Sequence, residues 1–152
     1  MSDNNFFERY RVANLIIIFI AVMLVGFDPV YQSQVNGNVP SAENFDHFLS
    51  RDLTAYFQKD KGATVTVRYE LLRPYPTQLG VGSPKYYLWI KVYDGVKLIN
   101  EGAVKVAAIE KIEFEILRFM PLQQIRTDPS QVDRLFPKAL ADDIRSRAGV
   151  HS

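Results

Sequence analysis

Residues 15–27, LIIIFIAVMLVGF, run thirteen positions without a charge. A stretch this apolar must be sealed in lipid, removed by processing, or buried on all sides by protein. A spanning helix takes about 20 predominantly apolar residues at 1.5 Å each. Widening the run to residues 12–31 reaches that length and takes in one Asn and one Asp.

Three readings compete. A cleaved secretory signal fits the basic flank (Arg9, Arg11) and the length of the apolar core. The expected small-x-small site is missing: Gly26, Phe27, Asp28, Pro29, Val30 and Tyr31 follow, and bulky residues suit it poorly. A helix inside a soluble core would need protein around all of Ile16, Ile17, Ile18 and Phe19, which so short a chain can hardly supply. A retained single-pass anchor fits best. Phe6, Phe7 and Tyr10 precede the run and Phe27 and Tyr31 follow it, as rings at two interfaces would. Pro29 stops the helix. The expected anchor is residues 12–31, its lipid-facing core Leu15, Ile16, Ile17, Ile18, Phe19, Ile20, Val22, Met23, Leu24 and Val25. Arg9 and Arg11 lie within a turn of it, whereas the first basic residue beyond it is Arg51. Positive-inside logic leaves residues 1–11 as a cytoplasmic stub and sends the rest outside, into the periplasm for a bacterial inner-membrane protein.

Composition narrows the partners. Eighteen Lys+Arg against 17 Asp+Glu give a net charge of +1, which argues against non-specific nucleic-acid binding. The absence of Cys excludes a disulfide scaffold, a thiolate nucleophile and thiolate metal sites. With two His, a His-rich metal centre is not expected.

Beyond the anchor the chain reads as a short tether (32–40), an α+β domain (41–148) and a frayed tail (149–152). Ser41 and Glu43 open a helix over residues 41–59. Its inward face is Phe45, Phe48, Leu49, Leu53, Tyr56 and Phe57, and Gly62 is placed to close it. Alternation then predicts a strand with Val65, Val67, Tyr69 and Leu71 on one face. A Pro- and Gly-rich loop (74–84) leads to a strand whose faces are Tyr86/Leu88/Ile90/Val92 and Tyr87/Trp89/Lys91/Tyr93. Asp94-Gly95 predicts a type I′ hairpin turn. A third strand (96–109) carries Gly102, read as a bulge or bend. Glu110-Lys111 turns into a fourth strand ending before Pro121. Asp128, Pro129 and Gln131 suit a helix N-terminus, and Pro137 breaks that helix before Leu140 and Ile144. The expectation is a four-stranded antiparallel meander with helices covering one face.

That element order resembles the cystatin-like and NTF2-like α+β rolls, which wrap a bent antiparallel sheet around an N-terminal helix. A stub, one span and such a domain outside also resemble the inner-membrane scaffold subunit of type IV secretion and conjugation machines. The resemblance lies in element order rather than in a motif.

No enzyme is expected. His47 beside Asp46 reads as an exposed helical residue rather than a general base, for want of an orienting partner and a pocket. Glu113 and Glu115 share a strand face as paired carboxylates could, and read as charged surface. Asp142-Asp143 reads as solvated. Ser83 lacks a nucleophile setting, and Gly80-Val81-Gly82 lacks the following helix of a phosphate loop. No cofactor is called for. The informative residues are Tyr75, Gln78, Tyr87, Trp89 and Tyr93. If their strand face meets solvent they form a partner-binding aromatic stripe; otherwise they pack under the terminal helices. The leading expectation is a membrane-anchored, non-enzymatic subunit docking on other subunits of a membrane assembly, with self-association as one form of it. A ligand-binding or enzymatic NTF2-like domain, with a pocket holding Tyr69, Glu70 or Glu115, is the second. An accessory subunit that packs its span against a larger complex is the third.

Overall fold

A computed structural model describes residues 37–59, 64–77 and 82–150, all within the compact unit Gly37–Ser152. The anchor residues, Gly62 and Gln78 lie outside the described residues. Among those described, no helix is long and apolar enough to cross a membrane.

The order is α1 (Ala42–Gln58), β1 (Val65–Leu71), β2 (Lys85–Asp94), β3 (Lys97–Ile109), β4 (Glu113–Pro121), α2 (Leu122–Thr127), α3 (Ser130–Leu135) and α4 (Lys138–Arg147). The four strands form one antiparallel sheet in sequence order, a meander whose β2–β3 and β3–β4 links are short turns and whose β1–β2 link spans residues 72–84.

The helices do not share one face, as expected from sequence; they divide. α1 packs Leu49, Leu53 and Phe57 on Tyr86, Leu88, Ile90, Val92, Val104 and Val106. The opposite face carries Tyr87, Trp89, Ala103 and Met120, covered by Ile125, Val132, Phe136, Leu140, Ala141 and Ile144 of the terminal segment. Period-two alternation accounts for this. From Tyr86 to Ile90 β2 is apolar and buried on both faces, so that stretch is stable only when covered on both. The edge strand β1 alternates between buried or half-buried and exposed.

Two irregularities keep the pattern in phase. Between β2 and β3, Val92 pairs Asn100 while Tyr93 pairs Leu98, leaving Ile99 as the extra residue. Between β3 and β4, Val106 pairs Ile116 while Lys105 pairs Arg118, leaving Leu117 extra. The second bulge lets both Ile116 and Phe119 face α1 across a change of parity. Gly102 sits at neither irregularity.

The turns also differ from expectation. Asp94 pairs Lys97, so the central residues of the β2–β3 turn are Gly95 and Val96, and only Gly95 has positive φ (57°). That is the pattern of a type II′ turn. The type I′ signature is at the β3–β4 turn. Glu110 (φ 48°) and Lys111 (φ 66°) both lie in the left-handed region, and Ile112 N–H donates to Ile109 C=O at 3.2 Å. A side chain in that region costs roughly 1–2 kcal/mol. Lys111→Gly is therefore expected to raise stability by about 0.5–1 kcal/mol, after the greater freedom of glycine in the unfolded chain is set against it. A chemical-denaturation midpoint that does not rise would contradict this.

Both ends of the domain are tied down more firmly than sequence suggests. Asn38 C=O accepts Lys111 N–H at 3.0 Å, Val39 packs on the α1 core and Pro40 is buried, so the tether stops short of residue 38. Beyond α4, Gly149 N–H donates to Ser146 C=O and Val150 N–H to Arg145 C=O, with Val150 packed on the core. This is a Schellman closure with its apolar contact, not a frayed end, at least through Val150.

Candidate functional site

One end of the sheet holds Leu71, Lys85, Ile109 and Glu113; because Asn38 bonds there, we call it proximal. The distal end holds Val65, Asp94, Lys97 and Pro121. On the terminal-helix face, cover extends from Tyr87 to Trp89 and from Ala103 to Met120. The three strands β1, β2 and β3 run on past it. Their residues on that face are Thr66, Arg68, Lys91, Tyr93, Leu98 and Glu101. Thr66, Arg68, Lys91 and Leu98 are exposed; Tyr93 and Glu101 are half-buried.

This distal patch is an ordered mixture of ring, apolar and charged groups. The Arg68 guanidinium lies over the Tyr93 ring, 5.3 Å from its centroid. Cross-strand pairing sets Leu98 beside Tyr93 and Lys91 beside Glu101. Trp89 Nε1–H donates to Glu101 Oε1 at 2.8 Å, and Lys91 Nζ stands 3.6 Å from the same oxygen. The Glu101 carboxylate thus has its charge met from within, while Arg68 has no carboxylate partner among the described residues. Next to the patch, a groove of about 260 Å³ opens between the start of β3 and the first turn of α2. It is lined by Leu98, Ile99, Asn100, Glu101, Pro121, Leu122 and Gln123. Val96, at the turn, is fully exposed. The arrangement can stack on an extended segment, take an apolar side chain and offer Arg68 to an acid; it presents no nucleophile with an adjacent base.

The sequence-predicted residues do not form one stripe. Tyr87 (3% exposed) and Trp89 (5%) are core residues beneath the terminal helices. The apolar face of those helices outcompetes solvent for them. The Tyr87 hydroxyl is hydrogen-bonded to Thr77 Oγ1 at 2.9 Å, with either oxygen able to donate, which ties the proline-rich loop to β2. Tyr75 is 71% exposed, but on that loop, toward the proximal end. Only Tyr93 belongs to the distal patch. Trp89 acts there indirectly, by holding Glu101. Arg68, Leu98 and Glu101 were not singled out from sequence. Strand parity put Arg68 opposite the core-facing Val67 and Tyr69, but the length of the helical cover was not readable.

The groups expected to converge in a pocket point apart. Tyr69 donates its hydroxyl to Asp46 at 2.5 Å on the α1 side, and burial followed by that bond holds the phenol well above its usual range. Glu70 lies on the other face, where it accepts a paired contact from Arg147 at 2.8 Å. Glu115 is exposed beside an open groove of about 290 Å³ lined also by Asp52, Tyr56, Lys59 and Glu113. His47 is exposed against Phe48, and Asp142 and Asp143 pair with Arg145 and Arg147. Among the described residues no cluster of three acidic or histidine side chains could hold a metal ion.

The Glu70–Arg147–Asp143 bridge pins α4 to β1. Hydrogen bonding to Arg147 holds the Glu70 carboxyl below its ordinary value. A depressed folded pKa stabilises above the unfolded value, near 4.3, and that contribution is lost as pH falls through the folded value. Glu70→Gln should therefore flatten the loss of denaturation midpoint below about pH 4. An unchanged acid limb would show that the bridge contributes nothing.

No protein-family model, curated protein or solved structure matches this chain, so its function has to be argued from the chemistry of this surface.

Proposed function

We propose that the chain is a membrane-anchored, non-enzymatic subunit whose α+β domain, held outside the cytoplasm by the span at residues 12–31, docks on a partner protein through the distal patch. The observation that carries this reading is the sheet face left bare beyond the terminal helices. Tyr and Arg at the centre of such a face are the residue types that anchor interfaces, and a Leu–Pro-lined groove beside them offers a seat for an apolar side chain. Arg68, stacked and lacking a carboxylate partner among the described residues, favours a partner that presents an acid. The apolar run and its basic flank support the anchor, and the aromatic brackets add to it.

The test is purification from native membranes in mild detergent. The wild-type chain should bring a discrete partner. A Tyr93→Ala, Leu98→Asp double variant should stay in the membrane fraction and fold, yet lose that partner. Equal recovery of the partner with both chains would sink the reading.

A further inference from the structure

We infer that two copies of this chain join edge to edge through β1, about a two-fold axis at Tyr69 that sets Arg68 of each copy against Glu70 of the other. The inference goes beyond the docking reading above. It concerns the edge of the sheet rather than its bare face, and it holds with or without a partner at Tyr93 and Leu98.

The first argument is the free edge. Among the described strands β1 pairs with β2 alone. Leu72 N–H donates to Tyr87 C=O at 2.9 Å, one step beyond the Leu71–Leu88 pair. In an antiparallel ladder, alternate residues turn both backbone groups to the same neighbour. Thr66, Arg68 and Glu70 therefore bond to β2. Val67, Tyr69 and Leu71 turn N–H and C=O outward, where no partner meets them among the described residues. β1 carries no proline, lysine or bulge, the devices that blunt an edge. The other edge of the sheet is interrupted. Leu117 bulges within β4, Asp52 Oδ2 accepts Phe114 N–H at 2.7 Å, and Arg51 Nη2 donates to Ile112 C=O at 2.7 Å where β4 begins.

The second argument is register. A symmetric antiparallel pair needs one residue that meets its own copy. With Tyr69 in that place, Val67 meets Leu71 of the second copy, and the outward-facing residues exchange about six backbone hydrogen bonds. Arg68 then stands opposite Glu70 of the second copy in a non-hydrogen-bonded pair, where side chains approach most closely. An axis at residue 68 would set arginine against arginine, and one at residue 70 glutamate against glutamate. An axis at residue 67 would set Arg68 against Thr66. Both charged groups are able to pair. Arg68 lacks a carboxylate partner among the described residues. Glu70 accepts Arg147 at 2.8 Å on each oxygen and keeps acceptor sites beyond those two. On the α1 side Val67, Tyr69 and Leu71 are only half-buried, whereas Leu88 and Ile90 beside them are fully buried. A second copy covers that remaining apolar surface.

The test is the mass of the full-length chain in mild detergent, by sedimentation equilibrium in density-matched solvent, up to hundreds of micromolar. Wild type should pass from one chain to two. Arg68→Glu should raise the dissociation constant about tenfold or more, because symmetry counts the like-charge pair twice. Val67→Pro leaves the ladder to β2 intact, since that N–H points outward, and should abolish pairing. The absence of Cys allows a check of register. Tyr69→Cys should form a disulfide with its own copy, the two Cα atoms lying about 5.5 Å apart. Thr66→Cys should not, its copy lying roughly 20 Å along the strand. Circular dichroism confirms folding, and Arg68→Glu, at an exposed position, decides alone if the other variants do not fold. A wild-type chain that stays single, or a folded Arg68→Glu chain that pairs as tightly as wild type, overturns the inference. So does pairing that survives Val67→Pro, or a disulfide that forms equally at positions 66 and 69.

Discussion

Trp89→Ala is expected to lower the unfolding free energy by about 3–5 kcal/mol, the range for deleting a large buried ring. Trp89 is 5% exposed and sits among Ala103, Met120, Ile125 and the other residues that join the terminal helices to the sheet. Its loss opens a cavity at the centre of that layer. It also strips Glu101 of its closest donor, at 2.8 Å, and sets that carboxylate adrift in the distal patch. Trp89→Phe separates the two effects, because it keeps most of the volume and removes only the N–H; about 1.5–3 kcal/mol is expected from the lost charged hydrogen bond. Urea titrations followed by far-ultraviolet circular dichroism measure both, since Trp89 is the only tryptophan and cannot report on its own removal. A stable, fully folded Trp89→Ala protein would mean that the terminal helices do not depend on this face. Reading the tryptophan as a surface anchor predicts the opposite result, lost association with folding intact; its burial corrects that.

Gly102→Ala is expected to be nearly as damaging for a different reason. A Cβ on Gly102 would stand 2.2 Å from the Met120 carbonyl oxygen and 2.9 Å from the Pro121 Cα. Both atoms are backbone, so no side chain can swing aside; β4 must move away from β3 where it turns into α2. Overpacking of this kind costs about 1–3 kcal/mol and more when the backbone resists. We expect at least 3 kcal/mol, read from the denaturation midpoint, with amide exchange accelerating first over residues 118–121. A neutral substitution would mean that β4 is not held this close. The glycine is there for close approach of two backbones, not for the bend the sequence suggested.

These cases show where the sequence could be read and where it could not. Alternation in β1 to β4 and the helical spacing from Phe45 to Phe57 reflect burial directly, so strand order, faces and α1 were legible. The two bulges were not, because an extra residue such as Ile99 or Leu117 looks like any other in a strand and only its partner reveals it. The type I′ turn escaped because Glu-Lys is a poor formula for it; the bonds to Asn38 and Arg51, both remote in sequence, offset the strain. Helices on both faces could have been foreseen from β2, whose Tyr87 and Trp89 are as apolar as the residues opposite, since a face that rich in rings has to be covered somewhere. The distal patch was half legible. Tyr93 was picked out by residue type, but Arg68, Leu98 and Glu101 join it only through cross-strand register and through the point at which helical cover stops.

Photo-crosslinking in native membranes tests the docking proposal most directly. A photoreactive residue at position 98 of the full-length chain should trap one discrete protein adduct, and the same residue at the exposed Lys138, at the start of α4, should not. No adduct from position 98, or the same adducts from both positions, would contradict the assignment of the distal patch as the surface through which this protein works.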